Sequence, residues 1–306
     1  MMIQAVLGNP SHPEYGVATI PFPIPNDQYT YCMDLLEALE IGDAVKADCK
    51  VEKIDSFYTV LKRAEMLTVN VEELNYLAKR LDSFDTGEAA QFQAMAHKLE
   101  LFELKDLINL TFCCQQATVI TDFSDLAAIG RDHYMNLHSG SASVDELNKL
   151  DGKETARQLI ESGSGTITPY GVVYDNGMKL EQIYDGRFFP CYYYEPNAIT
   201  VAVTSKAEPE DTEHITWLFL PMVQEEIDRA LLRGGITDPA DVRLRLEDSQ
   251  LPNEVDVLLD MEYETLSDLN ELAEATVGLS NADMEKLGAV VTLAEPKSAA
   301  QIKNLA

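Results

Sequence analysis

Positive charge is scarce in this sequence. Only 23 Lys and Arg stand against 52 Asp and Glu, which leaves a formal net charge of -29. Direct binding of nucleic acid is disfavoured, because phosphate contacts need clustered cations. Histidine is scarce too, with only His12, His97, His133, His138 and His214. His133 and His138 are not spaced as an i, i+4 metal pair on one helical face, so neither a metal nor another cofactor is expected. The cysteines, Cys32, Cys49, Cys113, Cys114 and Cys191, are odd in number and lack ligand spacing. They read as reduced and mostly buried, and Cys113-Cys114 has no positive neighbours to activate a thiol.

Long apolar runs are missing as well. No stretch approaches the roughly 18 residues of a membrane span. The N-terminal MMIQAVLGNPSHPEYG has no basic start and only a short apolar run before Gly8, unlike a secretory signal. A cytoplasmic protein without membrane contact is expected. Gly163 and Gly165 are not followed by the Gly-Lys-Ser/Thr of a phosphate loop, and no DxDxDG calcium loop occurs. Acidic residues occur throughout, so no pair stands out as a catalytic acid and base. No catalytic residue is assigned. Trp217 and Tyr192-Tyr193-Tyr194 read as core or sheet-face residues, with an interface as the tyrosines' alternative.

What is present is ample material for cores. A chain of 306 residues, 46% hydrophobic, has room for two or three domains. Its charge imbalance costs stability through self-repulsion and invites a reason outside folding. Adaptation to high salt, cation binding and imitation of a polyanion compete with an ordinary acidic surface.

The chain repeats itself. Val71 to Leu110 returns as Leu266 to Leu305 at a constant displacement of 195 and without a gap. Leu74, Asn75, Leu77 and Ala78 fall on Leu269, Asn270, Leu272 and Ala273, and Asp85 and Thr86 fall on Ser280 and Asn281. Asn75 and Asn270 read as capping or packing residues. Leu36, Ile41, Asp43 and Glu52 extend the match to Leu231, Ile236, Asp238 and Glu247. With one residue slipped, Ile24-Pro25 answers to Leu220-Pro221. Each copy reads as strand, strand, helix, strand, then helices, which an antiparallel sheet with helices on one face would bury.

In chain order, strands are expected over Ile3 to Leu7, Tyr15 to Phe22 and roughly Cys49 to Ile54. A helix capped by Asn26 or Asp27 runs through Ile41, and Phe57 to Met66 is ambiguous. Asn70 caps the next helix, Asp85 or Thr86 the one after, and Phe102 to Leu110 is a third. Ser124 and Ser143 cap further helices, Lys153 to Ser162 is helical, and β-structure follows from Thr166 to Tyr194 with Asp175-Asn176-Gly177 as a two-strand turn. The expected fold is α+β, repeated small antiparallel-sheet-plus-helix modules in an elongated multi-domain chain. The modules occupy residues 1–115 and 197–306, with a middle α/β region at 116–196. The second module stops where the middle region would begin, so the natural chain is expected to continue past Ala306.

From Leu246 to Glu285 there is no Lys or Arg. Glu247, Asp248, Glu254, Asp256, Asp260, Glu262, Glu264, Asp268, Glu271 and Glu274 recur there at short intervals, with Asp283 and Glu285 beyond them. On helix their axial spacing is roughly 3 to 9 Å, comparable with the ~3.4 Å between phosphates along one B-DNA strand. The first copy adds Glu37, Glu40, Asp43, Asp55, Glu72, Glu73, Asp82, Asp85 and Glu88, interrupted by Lys46, Lys50, Lys53, Lys62 and Arg63. The plain alternative for both sets is a solvated face.

The order strand, strand, acidic helix, acidic segment around Leu-Pro and LN-x-L helix resembles the ArdA antirestriction family. The carrying stretches are LRLEDSQLPNEVDVLLDMEYETLSDLNELAEAT in the second copy and CKVEKIDSFYTVLKRAEMLTVNVEELNYLAKRLDSF in the first. The resemblance covers both repeats well and Thr166 to Tyr194 poorly. It implies an acidic, elongated protein of conjugative elements that mimics bent B-DNA. Such a protein occupies the DNA-binding groove of type I restriction-modification enzymes, has no catalytic activity and forms a possible homodimer. The carboxylates named above would then be the partner-binding residues. An acidic hydrolase of a salt-adapted cell and a cation-binding or adaptor protein are the alternatives.

Overall fold

In β1 (Ile3–Gly8), Ile3, Ala5 and Leu7 are buried while Gln4 is exposed, the period of a strand with one wet face. The computed structural model describes residues 3–138, 140–192, 197–207 and 213–306. Within it β1 pairs antiparallel with β2 (Val17–Phe22). Between β2 and the next strand comes helix α1 (Tyr29–Glu37). Strand β3 (Cys49–Asp55) pairs with the other edge of β1, and β4 (Thr68–Val69) completes the order β2-β1-β3-β4. A β-bulge at Glu52 moves the register, since Val6 faces Lys53 but Leu7 faces Val51. The extra residue lets Cys49, Val51 and Ile54 all reach the core.

Three helices follow. In α2 (Val71–Asp82), Val71, Leu74, Leu77, Ala78 and Leu81 are buried at helical spacing, and Asn70 caps the start by accepting from the Glu73 amide. Helix α3 (Thr86–Lys98) opens on a capping box between Asp85 and Glu88, and α4 (Leu104–Leu110) is short and largely buried. Next come β5 (Thr118–Ile120), α5 (Leu126–Leu137), α6 (Val144–Lys149), α7 (Gly152–Glu161), β6 (Thr166–Thr168) and β7 (Gly171–Tyr174). The strands form a second antiparallel sheet, β5-β7-β6, packed on α3. Ile120 and Tyr174 share a small core with Ile129, Ala156 and Leu159 of α5 and α7. These two helices meet at glycine, because a Cβ on Gly130 would lie 1.8 Å from the Gly152 carbonyl oxygen.

The later elements are β8 (Ile199–Ser205), β9 (Thr216–Leu220), α8 (Gln224–Arg233), β10 (Val242–Ser249), α9 (Asn253–Asp256), α10 (Leu266–Thr276), α11 (Asn281–Ala294) and α12 (Ala299–Lys303). Their sheet, β10-β8-β9, is antiparallel, and its register shifts at Glu247, the counterpart of Glu52. Leu269, Leu272 and Ala273 of α10 join Val201, Leu218 and Val291 in its core. Residues up to Ile24 with Leu35–Tyr184 form one compact unit, and Pro25–Asp34 with Asp185–Ala306 form the other.

The fold is therefore α+β, with three small antiparallel sheets and helices. The first residues of α1, α2, α3 and α4 lie 195 positions before those of α8, α10, α11 and α12. Several details differ from expectation. Helix α1 ends at Glu37 rather than Ile41, because Glu40 turns left-handed and the Ile41 amide returns to the Leu36 carbonyl. Thr59–Ala64 in the ambiguous stretch is a 3-10 helix, and Asp125 rather than Ser124 caps α5. Asp175-Asn176-Gly177 does not join two strands, since β7 pairs with β5 and β6 and no described residue from 178 to 192 is in a strand. Tyr193 and Tyr194 lie outside the described residues.

Candidate partner-binding carboxylates

The candidate carboxylates separate by what their oxygens already do. Several close the backbone on which they stand. Asp85 accepts the Glu88 amide at 2.8 Å while Glu88 accepts the Asp85 amide at 3.0 Å and a bond from Gln115. Asp43 Oδ1 accepts the Val45 and Lys46 amides. Glu73 accepts the Tyr184 hydroxyl at 2.8 Å. Glu72 and Asp82 are half-buried on the same helix. Glu37, Glu40 and Asp55 are exposed.

The second unit shows the same division. Asp268 accepts the Thr265 hydroxyl at 2.7 Å and so helps to cap α10. Both oxygens of Glu264 accept the Ala299 amide at 3.1 Å and hold the start of α12. Burial raises the Glu264 pKa, the Ala299 amide opposes this, and Asp268 and Asp260 push it up further. Asp256 is also raised by burial, opposed by a bond from Ser249 and reinforced by Asp248. Its Oδ1 is buried without a hydrogen-bond partner among the described residues. Asp260 accepts the Glu262 amide, and Glu247 pairs with Arg245. Asp248, Glu254, Asp260, Glu262, Glu271 and Glu274 are exposed.

One group is evenly spaced along a helix. On α10, Asp268, Glu271 and Glu274 stand three residues apart, about 4.5 Å of axial rise per step. Lys303 of α12 pairs with Glu271, and its pKa is raised first by that bond and then by the charges of Glu271, Asp268 and Glu274. Three carboxylates and one ammonium leave this stretch with a net negative charge. The first unit does not reproduce it, because the positions 195 earlier are Glu73, Tyr76 and Lys79. Lys303 was not assigned a role from sequence. Its signal was available only through the repeat, which places α12 beside α10 as it places α4 beside α2.

Asn75 and Asn270 hold backbone rather than a ligand. Asn75 accepts the Ile24 amide, and Asn270 both accepts from and donates to the backbone of Met222. These bonds correct the strand alignment, setting Ile24 against Met222 and Phe22-Pro23 against Leu220-Pro221, both cis.

Four cysteines are buried and Cys191 is exposed. Burial raises the thiol pKa of Cys32, Cys113, Cys114 and Cys191. Among the described residues, no group of three or more His, Cys, Asp or Glu could hold a metal ion, and no helix is long and apolar enough to cross a membrane. Compared with protein-family models, curated proteins and solved structures, the chain matches none.

Proposed function

We propose that this chain is a cytoplasmic antirestriction protein of the ArdA kind. It imitates the charge and shape of B-DNA and competes for the DNA-binding groove of type I restriction-modification enzymes. The observation that carries the reading is α10, where Asp268, Glu271 and Glu274 stand three residues apart and Glu271 pairs with Lys303, in a segment without Lys or Arg from Leu246 to Glu285. Its axial interval of about 4.5 Å is of the same order as the ~3.4 Å spacing of phosphates along one DNA strand, though about a third longer. A groove lined with cations gains affinity for DNA largely by releasing counterions, and a fixed carboxylate array draws on the same source.

Carboxylates carry no base edges, so the protein blocks enzymes of different recognition sequence alike. The mechanism is stoichiometric occupation and requires no bond chemistry. Its test is competition: purified protein displaces DNA from a purified type I enzyme, and displacement weakens steeply with added salt. Absence of displacement, or displacement indifferent to salt, rejects the reading.

A further inference from the structure

Helix α5 and the chain that leaves β7 meet at one hydroxyl. Strand β5 packs against α3, whose Ala94 and Met95 are fully buried, and against α5. Thr118, the first residue of β5, is 2% exposed, and its Oγ1 receives side chains from two other elements. Asn176, left-handed in the turn after β7, reaches it at 2.9 Å, Asn136 of α5 at 3.3 Å, and His133 Nδ1 of α5 at 2.9 Å. His133 and Asn136 are half-buried, one helical turn apart on the same face.

The proton count at Thr118 fixes the direction of each bond. The Asn176 amide nitrogen also lies 2.8 Å from the Gln116 carbonyl oxygen, which only accepts, so this amide has one orientation and donates to Thr118. Asn136 donates through its own nitrogen. A hydroxyl has two acceptor sites and one proton. With both sites filled by the two amides, the Thr118 proton goes to His133 Nδ1. That nitrogen is therefore bare, and the neutral ring carries its proton on Nε2.

A second ring proton meets a conflict. Protonated Nδ1 becomes a third donor aimed at an oxygen with two acceptor sites, and the Thr118 proton loses its acceptor in a buried place. The longest bond, from Asn136, is the first to give way. Neighbouring charges do not relieve this. Strand β5 has no ionisable side chain, and Arg131 and Asp132, which flank His133 on α5, are exposed. Helix α7 brings Lys153, Glu161 and the pair Glu154 with Arg157. The 3-10 turn Cys114–Gln116 brings the buried Cys114 thiol, and Asp175 beside Asn176 is paired with Lys98. Burial, rather than any of these charges, lowers the His133 pKa.

We propose that Thr118 and His133 form a proton-sensitive latch, which holds α5 and the turn after β7 to β5 while the ring is neutral and loosens them on acidification. Between the ordinary histidine value of about 6.5 and the lowered one, the open form takes up a proton that the closed form refuses. The closed form therefore loses stability as pH falls through that window. Opening increases about tenfold for each unit by which the closed value lies below the open one. The latch stands independently of the proposed function.

Two measurements on the full chain test it. Long-range nitrogen–proton NMR correlation of the imidazoles at about pH 7.5 should show His133 as the Nε2–H tautomer, and its titration gives the closed pKa. Hydrogen exchange over α5, β5 and the turn, corrected for the intrinsic rate, should then accelerate by the corresponding factor between about pH 7.5 and about pH 5. His133→Gln keeps an acceptor for the Thr118 hydroxyl but cannot titrate, so the acceleration should vanish in that variant. An Nδ1–H tautomer overturns the latch, because a protonated ring would then need no rearrangement. Exchange that does not accelerate, or that accelerates equally in His133→Gln, overturns it as well. Should the variant fail to fold, the tautomer and the pH dependence of the unsubstituted chain still decide.

Discussion

Asn75 Oδ1 accepts the backbone amide of Ile24 at 2.8 Å, and Asn75 itself is 4% exposed. The same bond recurs 195 residues later, where Asn270 Oδ1 accepts the Met222 amide at 2.8 Å. Each ties the first long helix after the sheet to the chain leaving the sheet's second strand. Removing the side chain leaves a buried or part-buried amide without its partner, a cost of roughly 1–3 kcal/mol. Asn270→Ala is therefore expected to lower the urea midpoint followed by fluorescence of Trp217, which lies on β9 in the same unit. An unchanged midpoint would show that the bond contributes nothing net.

The helices of the repeat were legible because their start signals are local. Asn70, Asp85 and Ser280 each cap with their own side chain, and no other part of the chain has to be known to place them. The strand alignment was not legible. Between Ile24 and Tyr29 the first copy carries a 3-10 turn at Asn26–Gln28, whereas only Val223 separates Met222 from α8. That length difference breaks the constant displacement just where Asn75 and Asn270 would restore it. The site was half legible for a similar reason. Charge density along the chain found Asp268, Glu271 and Glu274, but tertiary packing decides that Asp268 serves the α10 cap and that Glu271 meets Lys303.

Asp256 illustrates a carboxylate kept against the interest of the fold. Its pKa is raised by burial first and by Asp248 as well, so the folded state binds the proton more tightly than the unfolded chain. The sign follows: this residue favours folding at low pH, and that contribution is lost as pH rises from the unfolded value of about 3.9 through the raised folded one. Asp256→Asn is expected to raise the thermal midpoint at pH 7. The gain should shrink as pH falls through the carboxylate range, and a gain that persists undiminished would assign it to packing instead.

The α10 face makes a pair of predictions of opposite sign. Glu271→Gln with Glu274→Gln removes exposed charge without touching the Thr265 and Asp268 cap. Binding to a type I enzyme should weaken, and the slope of log K against log salt should become shallower by up to about 2, since each phosphate equivalent contributes roughly 0.9. Lys303→Gln instead releases Glu271 from its ion pair and should tighten binding. Tighter binding by the first variant or weaker binding by the second would take this face out of the interface.

Thiol chemistry tests the packing without any partner. Cys32, Cys49, Cys113 and Cys114 are buried, two of them side by side after α4, whereas Cys191 is exposed. Reactivity requires both access and thiolate, and burial denies both to Cys114, whose pKa is pushed well above the ordinary thiol value by desolvation and then by Cys113 and Glu88. Cys191 has access, yet partial burial and the nearby Glu247 charge hold its pKa up, so its thiolate fraction at neutral pH is small. A disulfide reagent at pH 8 should therefore modify one thiol per folded chain, more slowly than a free thiol, and all five only after unfolding. Cys191→Ser should abolish the native reaction. Rapid modification of Cys113 or Cys114 in that variant would mean that the chain after α4 opens under native conditions, and the packing of β5, β6 and β7 against α3 would have to be weaker than the burial of Ala94 and Met95 implies.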